Sequence, residues 1–349
     1  MYNILTSIQI QPLDVKAAEA AAKYIDTLTK PQGSLGRLEE LAINLAGITQ
    51  ETFPTVTPPG VLVFAADHGV VEEGVSAFPQ SVTAQMALNF LAGGAAINVF
   101  SKQIGAQFQL VDIGIASSVQ HSELSCQKVR MGTRNFCKEH AMTRNEVEQA
   151  IEIGMDEATN LIKKGIKCLI VGEMGIGNTT SSTALLAALT SHKVDDLVGS
   201  GTGINSQQLK HKIKKIEQAL ENRQYDVRDP IAILSAFGGL EIAGMVGAML
   251  AAASHRIPII VDGFICTTAA VFAVQMNELA SNYMFASHQS VEPGHRFALS
   301  ILKKEPLLNL QMRLGEGSGA AIAFPLLHSA CLMITEMATF ADAGVANKE

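Results

Sequence analysis

No Gly-Lys-Ser/Thr tripeptide closes any glycine-rich loop of this sequence, which excludes a P-loop nucleotide hydrolase. The glycines of its most informative loop, residues 172–183, do not follow Gly-x-Gly-x-x-Gly, so the dinucleotide fingerprint of a dehydrogenase is missing there. The five cysteines, Cys126, Cys137, Cys168, Cys266 and Cys331, contain no Cys-x-x-Cys pair, and neither a zinc site nor a disulfide framework is indicated. Basic residues are in deficit: the net charge of −7 argues against a nucleic-acid or anionic-membrane partner. Glu241, His255, Asp262 and Pro325 interrupt the apolar segments before the ~18 residues of a membrane span. The first residues show no basic region followed by an apolar run, so no signal peptide and a cytoplasmic location are expected. Short repeats and low-complexity tracts are also missing.

What is present is apolar and glycine-rich. Of 349 residues, 48% are hydrophobic, 17% are charged and 29 are glycine, which suits a large buried α/β core with tight connections. Residues 14–50 read as helical, with Leu35, Leu38, Leu41, Leu45 and Ile48 on one face. Phe53–Gly60 reads as a linker. Short strands are then expected at Val61–Ala65, Phe108–Val111, Cys168–Val171 and Ile259–Val261, with another at Ala232–Ser235. Between them, Thr143-Arg-Asn-Glu146 is a capping box before an amphipathic run. Leu209, Ile213, Ile216 and Leu220 mark a second such helix. Ile242–Ala253 is apolar nearly all round, as in a helix buried in the interior or at a subunit contact. Strands alternating with helices predict a mostly parallel sheet covered on both faces.

Ligands collect outside the carboxyl ends of such strands. Acids beside glycines follow four of the expected strands: Asp67, Asp112, Glu173 and Asp262. Each is read either as lining a site or as an ordinary turn residue. Glu173 stands in Gly172-Glu-Met-Gly-Ile-Gly-Asn-Thr-Thr180, a strand–turn–helix junction whose N–H groups suit a phosphate. A carboxylate at that place suggests a phosphorylated ligand with positive charge elsewhere on it. Gly199-Ser-Gly-Thr-Gly203 is a second candidate anion nest ahead of a helix beginning near Ser206. Lys212 lies within reach of it, although Lys210, Lys214 and Lys215 on the same helix also allow a plain solvated lysine. Leu314-Gly-Glu-Gly-Ser-Gly319 sets Glu316 among glycines before an apolar run, where desolvation would raise its pKa and suit a general base. An ordinary helix-start loop is the other reading of that segment. The loop 287–295 carries His288, Glu292 and His295 at a spacing that matches no zinc signature. Phe78 and the following amides could hold a flat heterocycle or simply join the core.

Taken together, these motifs resemble one family. They include Lys30-Pro-Gln-Gly-Ser-Leu-Gly-Arg-Leu-Glu39, Ala66-Asp-His-Gly69, Gly93-Gly-Ala-Ala-Ile-Asn98, Gly172–Thr180, Gly201-Thr-Gly203, Gly238-Gly-Leu-Glu-Ile-Ala-Gly244, Val261-Asp-Gly263, Glu292-Pro-Gly-His295 and Leu314–Ala320. In this order they resemble the nicotinate-nucleotide:dimethylbenzimidazole phosphoribosyltransferases nearly end to end. The resemblance implies transfer of ribose 5-phosphate from nicotinate mononucleotide to 5,6-dimethylbenzimidazole, without cofactor or metal, in a homodimer serving cobalamin synthesis. It implies Glu316 as the base and Glu173 as the acid near the reacting carbon. It implies nucleotide and phosphate contacts from Gly175, Gly177, Asn178, Thr179, Thr180, Gly201, Thr202, Gly203, Lys212, Ser290 and Gly315. Phe78, Gln85, Met174 and Leu314 fall where the base pocket is expected. Ser200 departs from the pattern, where arginine or proline is frequent. The implied fold is a three-layer α/β/α Rossmann-like domain over residues 51–329, with a small helical domain from residues 1–50 and 330–349. A transferase using other azoles or phenols, and a nucleotide-binding regulatory protein without chemistry, are the competing readings.

Overall fold

The computed structural model describes residues 8–190, 192–201 and 203–346. Its centre is a sheet of six strands: β1 (Pro59–Ala66), β2 (Gln107–Gly114), β3 (Leu124–Cys126), β4 (Cys168–Met174), β5 (Ile259–Val261) and β6 (Met284–Ala286). Their order across the sheet is β3-β2-β1-β4-β5-β6, and every neighbouring pair is parallel. The order reverses between β1 and β4, the switch point at which doubly wound sheets open a crevice. All eight residues of β1 are buried, as a central strand covered on both faces requires.

The helices Arg144–Lys163, Leu240–Ser254 and Phe264–Met276 cover one face, and Ala96–Gln103 and Ser318–Glu336 cover the other. Thr143 and Glu146 form the capping box expected from sequence: the Glu146 N–H donates to Thr143 Oγ1 at 3.2 Å, and the Thr143 N–H to Glu146 Oε2 at 2.7 Å. Leu240 to Ala253 is buried throughout. It lies so close to its neighbour that a side chain on Gly154 would overlap the Gly244 carbonyl, and one on Gly247 the Ile151 carbonyl.

Two strands, β3 and β6, have no counterpart among the sequence expectations; each is three residues long at a sheet edge, too short to show a period. The expected strand at Ala232–Ser235 is instead part of the helix Pro230–Phe237. Asp229 decides this: its Oδ1 accepts the N–H groups of Ile231 (3.0 Å) and Ala232 (3.3 Å), and Pro230 opens the first turn.

The N-terminal helices Val15–Ile25 and Arg37–Thr49 pack on Ser318–Glu336, which runs continuously through Ala330. Leu28 and Thr339 pair in an antiparallel bridge that ties the two ends of the chain together. The same apolar core runs from these helices into the sheet. Ser318–Glu336 is long and apolar enough to cross a membrane, but 61% of its apolar window is buried inside the protein. The longer apolar stretch Ser81–Gln103 is broken at Gly93–Ala95 into the helices Ser81–Leu91 and Ala96–Gln103.

Candidate active site

A cavity of about 440 Å³ opens at the carboxyl ends of β4, β5 and β6, beside the switch point. That is the size of a site for a small organic ligand. Two helices aim their N-termini at it, and both begin after a glycine with left-handed backbone. Gly177 (φ 99°) precedes Asn178–Leu189, and Gly317 (φ 89°) precedes Ser318–Glu336. Only glycine enters that region without strain.

Glu173, the penultimate residue of β4, is 5% exposed. Its Oε2 accepts the Asn178 side-chain amide, and its Oε1 accepts the backbone N–H of Glu316 at 3.3 Å. Burial pushes its pKa up to about 8; the charges of Glu241 and Asp262 add to this, and the Asn178 hydrogen bond opposes it. Glu316 is 6% exposed, and its Oε2 has no hydrogen-bond partner among the described residues. Its pKa is also raised by burial, against the pull of the Ile97 N–H at the start of Ala96–Gln103. The helix opened by Gly93–Asn98 thus turns its positive end toward this carboxylate.

Backbone geometry presents Glu316. Gly315, Glu316 and Gly317 all have positive φ (90°, 66° and 89°), so the one residue with a side chain is held in a conformation that such residues adopt rarely. A Cβ on Gly315 would overlap Glu173 Oε1, so a side chain there would displace that carboxylate. Asp262, just past the end of β5, fixes the loop from below: its Oδ2 accepts the Gly317 N–H at 3.1 Å and its Oδ1 the Ala320 N–H at 2.9 Å.

In a recess beside the cavity, Lys212 is 1% exposed, and its Nζ donates to Thr179 Oγ1 at 3.0 Å. Burial lowers its pKa to about 8, with Glu292 opposing. The solvated-lysine reading therefore fails: helix Ser206–Asn222 buries this one of its lysines against the 175–180 loop. The loop at 199–201 is tied in by the Gly201 N–H donating to Glu292 Oε1 (3.0 Å) and by Arg313 Nη1 donating to the Gly201 carbonyl (2.9 Å).

Of the residues singled out from sequence, Glu173, Met174, Gly175, Asn178, Thr179 and Gly201 line the cavity, as do Phe78, Ser290, Leu314, Gly315 and Glu316. Gly177 and Lys212 line a side recess that shares Gly175, Asn178, Thr179 and Gly201 with it. Thr180 is buried one position behind Thr179, and Gly203 is exposed away from the wall. Thr202 lies outside the described residues. Gln85 does not reach the cavity: it is exposed on Ser81–Leu91, and Val82 and Met86 of that helix line the wall instead. Ser200 is exposed beside the recess. Among the strand-end acids, Asp262 joins Glu173 in the wall, whereas Asp67 and Asp112 hold backbone instead. Asp67 Oδ2 accepts the Ala116 N–H (2.8 Å) and Asp112 Oδ1 the Ile115 N–H (2.9 Å). Sequence reasoning missed Arg313, Phe264 and Ile265 in the wall; their only signal is adjacency to Leu314 and to the Val-Asp-Gly263 motif. No cluster of three or more His, Cys, Asp or Glu suited to a metal ion is found among the described residues.

A buried pair of acids and an anion-suited helix start line the cavity, and a buried lysine lines the recess beside it. Comparison with known proteins identifies the family. Residues 10–345 match a family described as phosphoribosyltransferase. The chain is 51% identical over 341 residues to the nicotinate-nucleotide–dimethylbenzimidazole phosphoribosyltransferase of Chloroflexus aggregans, covering 97% of both. The chain belongs to this family. The enzyme of the same name from Halalkalibacterium halodurans is 50% identical, with 96% of this chain and 94% of that one aligned. The crystal structure of the phosphoribosyltransferase of this family from Thermus thermophilus superposes with a TM-score of 0.91 at 40% identity, over 96% of this chain and 100% of that one.

Proposed function

We propose that this chain transfers the ribose 5-phosphate of nicotinate mononucleotide to 5,6-dimethylbenzimidazole, giving α-ribazole 5′-phosphate and nicotinate. Family membership supports the substrates. The observation that carries the chemistry is the pair of buried acids, Glu173 and Glu316, facing one cavity beside a recess that holds Lys212 and a helix start.

In this reading the phosphate sits at the start of Asn178–Leu189, where the positive end of the helix, Thr179 and Lys212 meet it. Phe78, Val82, Met86, Met174 and Leu314 supply the apolar walls for the flat base. The glycosidic nitrogen of the nucleotide is cationic, so nicotinate departs as a neutral pyridine without an acid. Positive charge then builds at C1′, and Glu173 stabilises it electrostatically. Burial keeps Glu173 protonated near neutral pH, and the entering pyridinium favours the ionised form. The azole attacks from the opposite face, inverting C1′, and its N–H proton passes to Glu316. Alignment of two bound reactants contributes ~7–11 kcal/mol to such a step.

A second copy of the chain is part of this reading. Phe78 and Leu314 line the cavity yet are 48% and 58% exposed, so the apolar wall is incomplete in one chain. Light scattering of the purified chain tests the dimer. The reaction is tested by mixing the chain with nicotinate mononucleotide and dimethylbenzimidazole and measuring free nicotinate. Stoichiometric release that requires both substrates is expected. Binding without release would leave the regulatory reading standing, and faster release with another azole or a phenol would favour the alternative acceptor.

A further inference from the structure

The Glu316 loop holds a non-glycine residue at φ 66° between two left-handed glycines, a conformation that persists only where its surroundings impose it. The imposing group is Asp262, through the N–H groups of Gly317 and Ala320. Asp262 is itself 1% exposed, and a buried carboxylate needs a further partner. That partner is His288, whose Nε2 lies 3.5 Å from Asp262 Oδ1.

The imidazole is built in. Side chains on Gly263 and Gly319 would press on or overlap its ring, so it fills the space between the β5 end and the start of Ser318–Glu336. Backbone pairing holds the segment on both sides: the Gln289 N–H donates to the Leu308 carbonyl (2.7 Å) and the Leu308 N–H to the Ser287 carbonyl (2.9 Å). Nearby His295 cannot share the role. Its Nδ1 accepts the Ser290 N–H at 2.8 Å and its Nε2 lies 3.0 Å from Thr267 Oγ1, which fixes it as a neutral ring. Burial and the charge of His288 lower its pKa to about 4. Burial presses His288 down too, but the contact with Asp262 outweighs this and its pKa is raised.

We infer that His288 is a positioning residue of the reaction: packed against Asp262, it fixes the loop that aims Glu316 at the acceptor base. This rests on the transferase reading above. Asp262 and the neutral His295 face the ring, and Glu173, Glu292, Glu316 and Arg313 line the same cavity. Glu316 must be ionised and His288 protonated, so kcat falls on the acid side through Glu316 and on the alkaline side through His288. Loss of the Lys212 charge, by contrast, appears in KM for the nucleotide.

The test compares His288→Gln, which keeps a neutral donor, with His288→Phe, which keeps only the packing. Misplacement of a reacting group by about 1 Å costs about a hundredfold in rate. His288→Gln is expected to lower kcat about tenfold, with KM for the nucleotide within about twofold and the alkaline limb of kcat gone; His288→Phe is expected to lose about a hundredfold. Turnover of His288→Phe within twofold of the unmodified chain, with the alkaline limb intact, overturns the inference. If that variant does not fold, the alkaline limb of His288→Gln decides alone. Imidazole titration by NMR separates this inference from the transferase reading. Asp262→Asn should lower the His288 pKa, and an unchanged titration refutes the pair whether or not nicotinate is released. Absence of nicotinate release by the unmodified chain refutes the reading on which the inference rests.

Discussion

The backbone N–H of Glu316 donates to the carboxylate of Glu173 across 3.3 Å, so each of the two acids of the cavity helps to place the other. Their roles are nonetheless separable, because Glu173 is engaged by two donors while Glu316 Oε2 has no partner among the described residues.

Glu316→Gln should retain the loop and lose the base. Turnover is expected to fall by about 10²–10⁴-fold, the usual contribution of general-base catalysis, with nucleotide affinity little changed. Steady-state kinetics beside calorimetric binding would check this. Near-normal turnover would remove Glu316 from the role.

Glu173 couples the stability of the fold to pH. Its pKa in the folded chain, about 8, lies above the ordinary 4.5, so the folded state holds a proton that the unfolded state has released between those pH values. Its contribution to stability is therefore full below about pH 4.5 and is lost as pH rises through about 8. Glu173→Gln abolishes this dependence, with the Asn178 amide free to turn toward the new group. The variant should melt above the unmodified chain at pH 8–9, and the difference should shrink or reverse at pH 5. Thermal melts across that range decide it.

Lys212 titrates near 8 and should serve the phosphate. The ratio of kcat/KM for nicotinate mononucleotide to that for the nucleoside without phosphate should fall above pH 8. A charged hydrogen bond is worth about 1.5–3 kcal/mol. Lys212→Met should therefore lower the nucleotide value by about ten- to a hundredfold while sparing the nucleoside. Equal losses for both would point to a structural lysine.

Gly315→Ala meets both obstacles at once, a positive φ and the Glu173 oxygen. A left-handed non-glycine residue costs about 1–2 kcal/mol. The clash with Glu173 should add a loss of turnover larger than the loss of stability, visible as a modest drop in melting temperature beside a strong drop in kcat.

The central strands were legible because β1, β2, β4 and β5 are apolar runs, each leading to an acid beside glycine at its carboxyl end. Residues 232–235 were misread since a short apolar run has no decisive period, and the cap at Asp229 outweighs it. Lys212 looked like its three neighbours on the helix; only the packing against Thr179 separates it from them. The work of Asp262 and His288 is not written locally at all. It depends on β5 and β6 ending beside a helix start contributed from much later in the chain.

The glycine seam between the helices Arg144–Lys163 and Leu240–Ser254 sets a boundary for anyone redesigning acceptor choice. An added methyl group at Gly154 or Gly247 would meet backbone of the facing helix, leaving no compliant side chains to absorb it. A perturbation there would travel as a displacement of whole helices beneath the crevice. Wall residues on Ser81–Leu91, such as Val82 and Met86, are only partly buried and offer the forgiving side on which to reshape the base pocket.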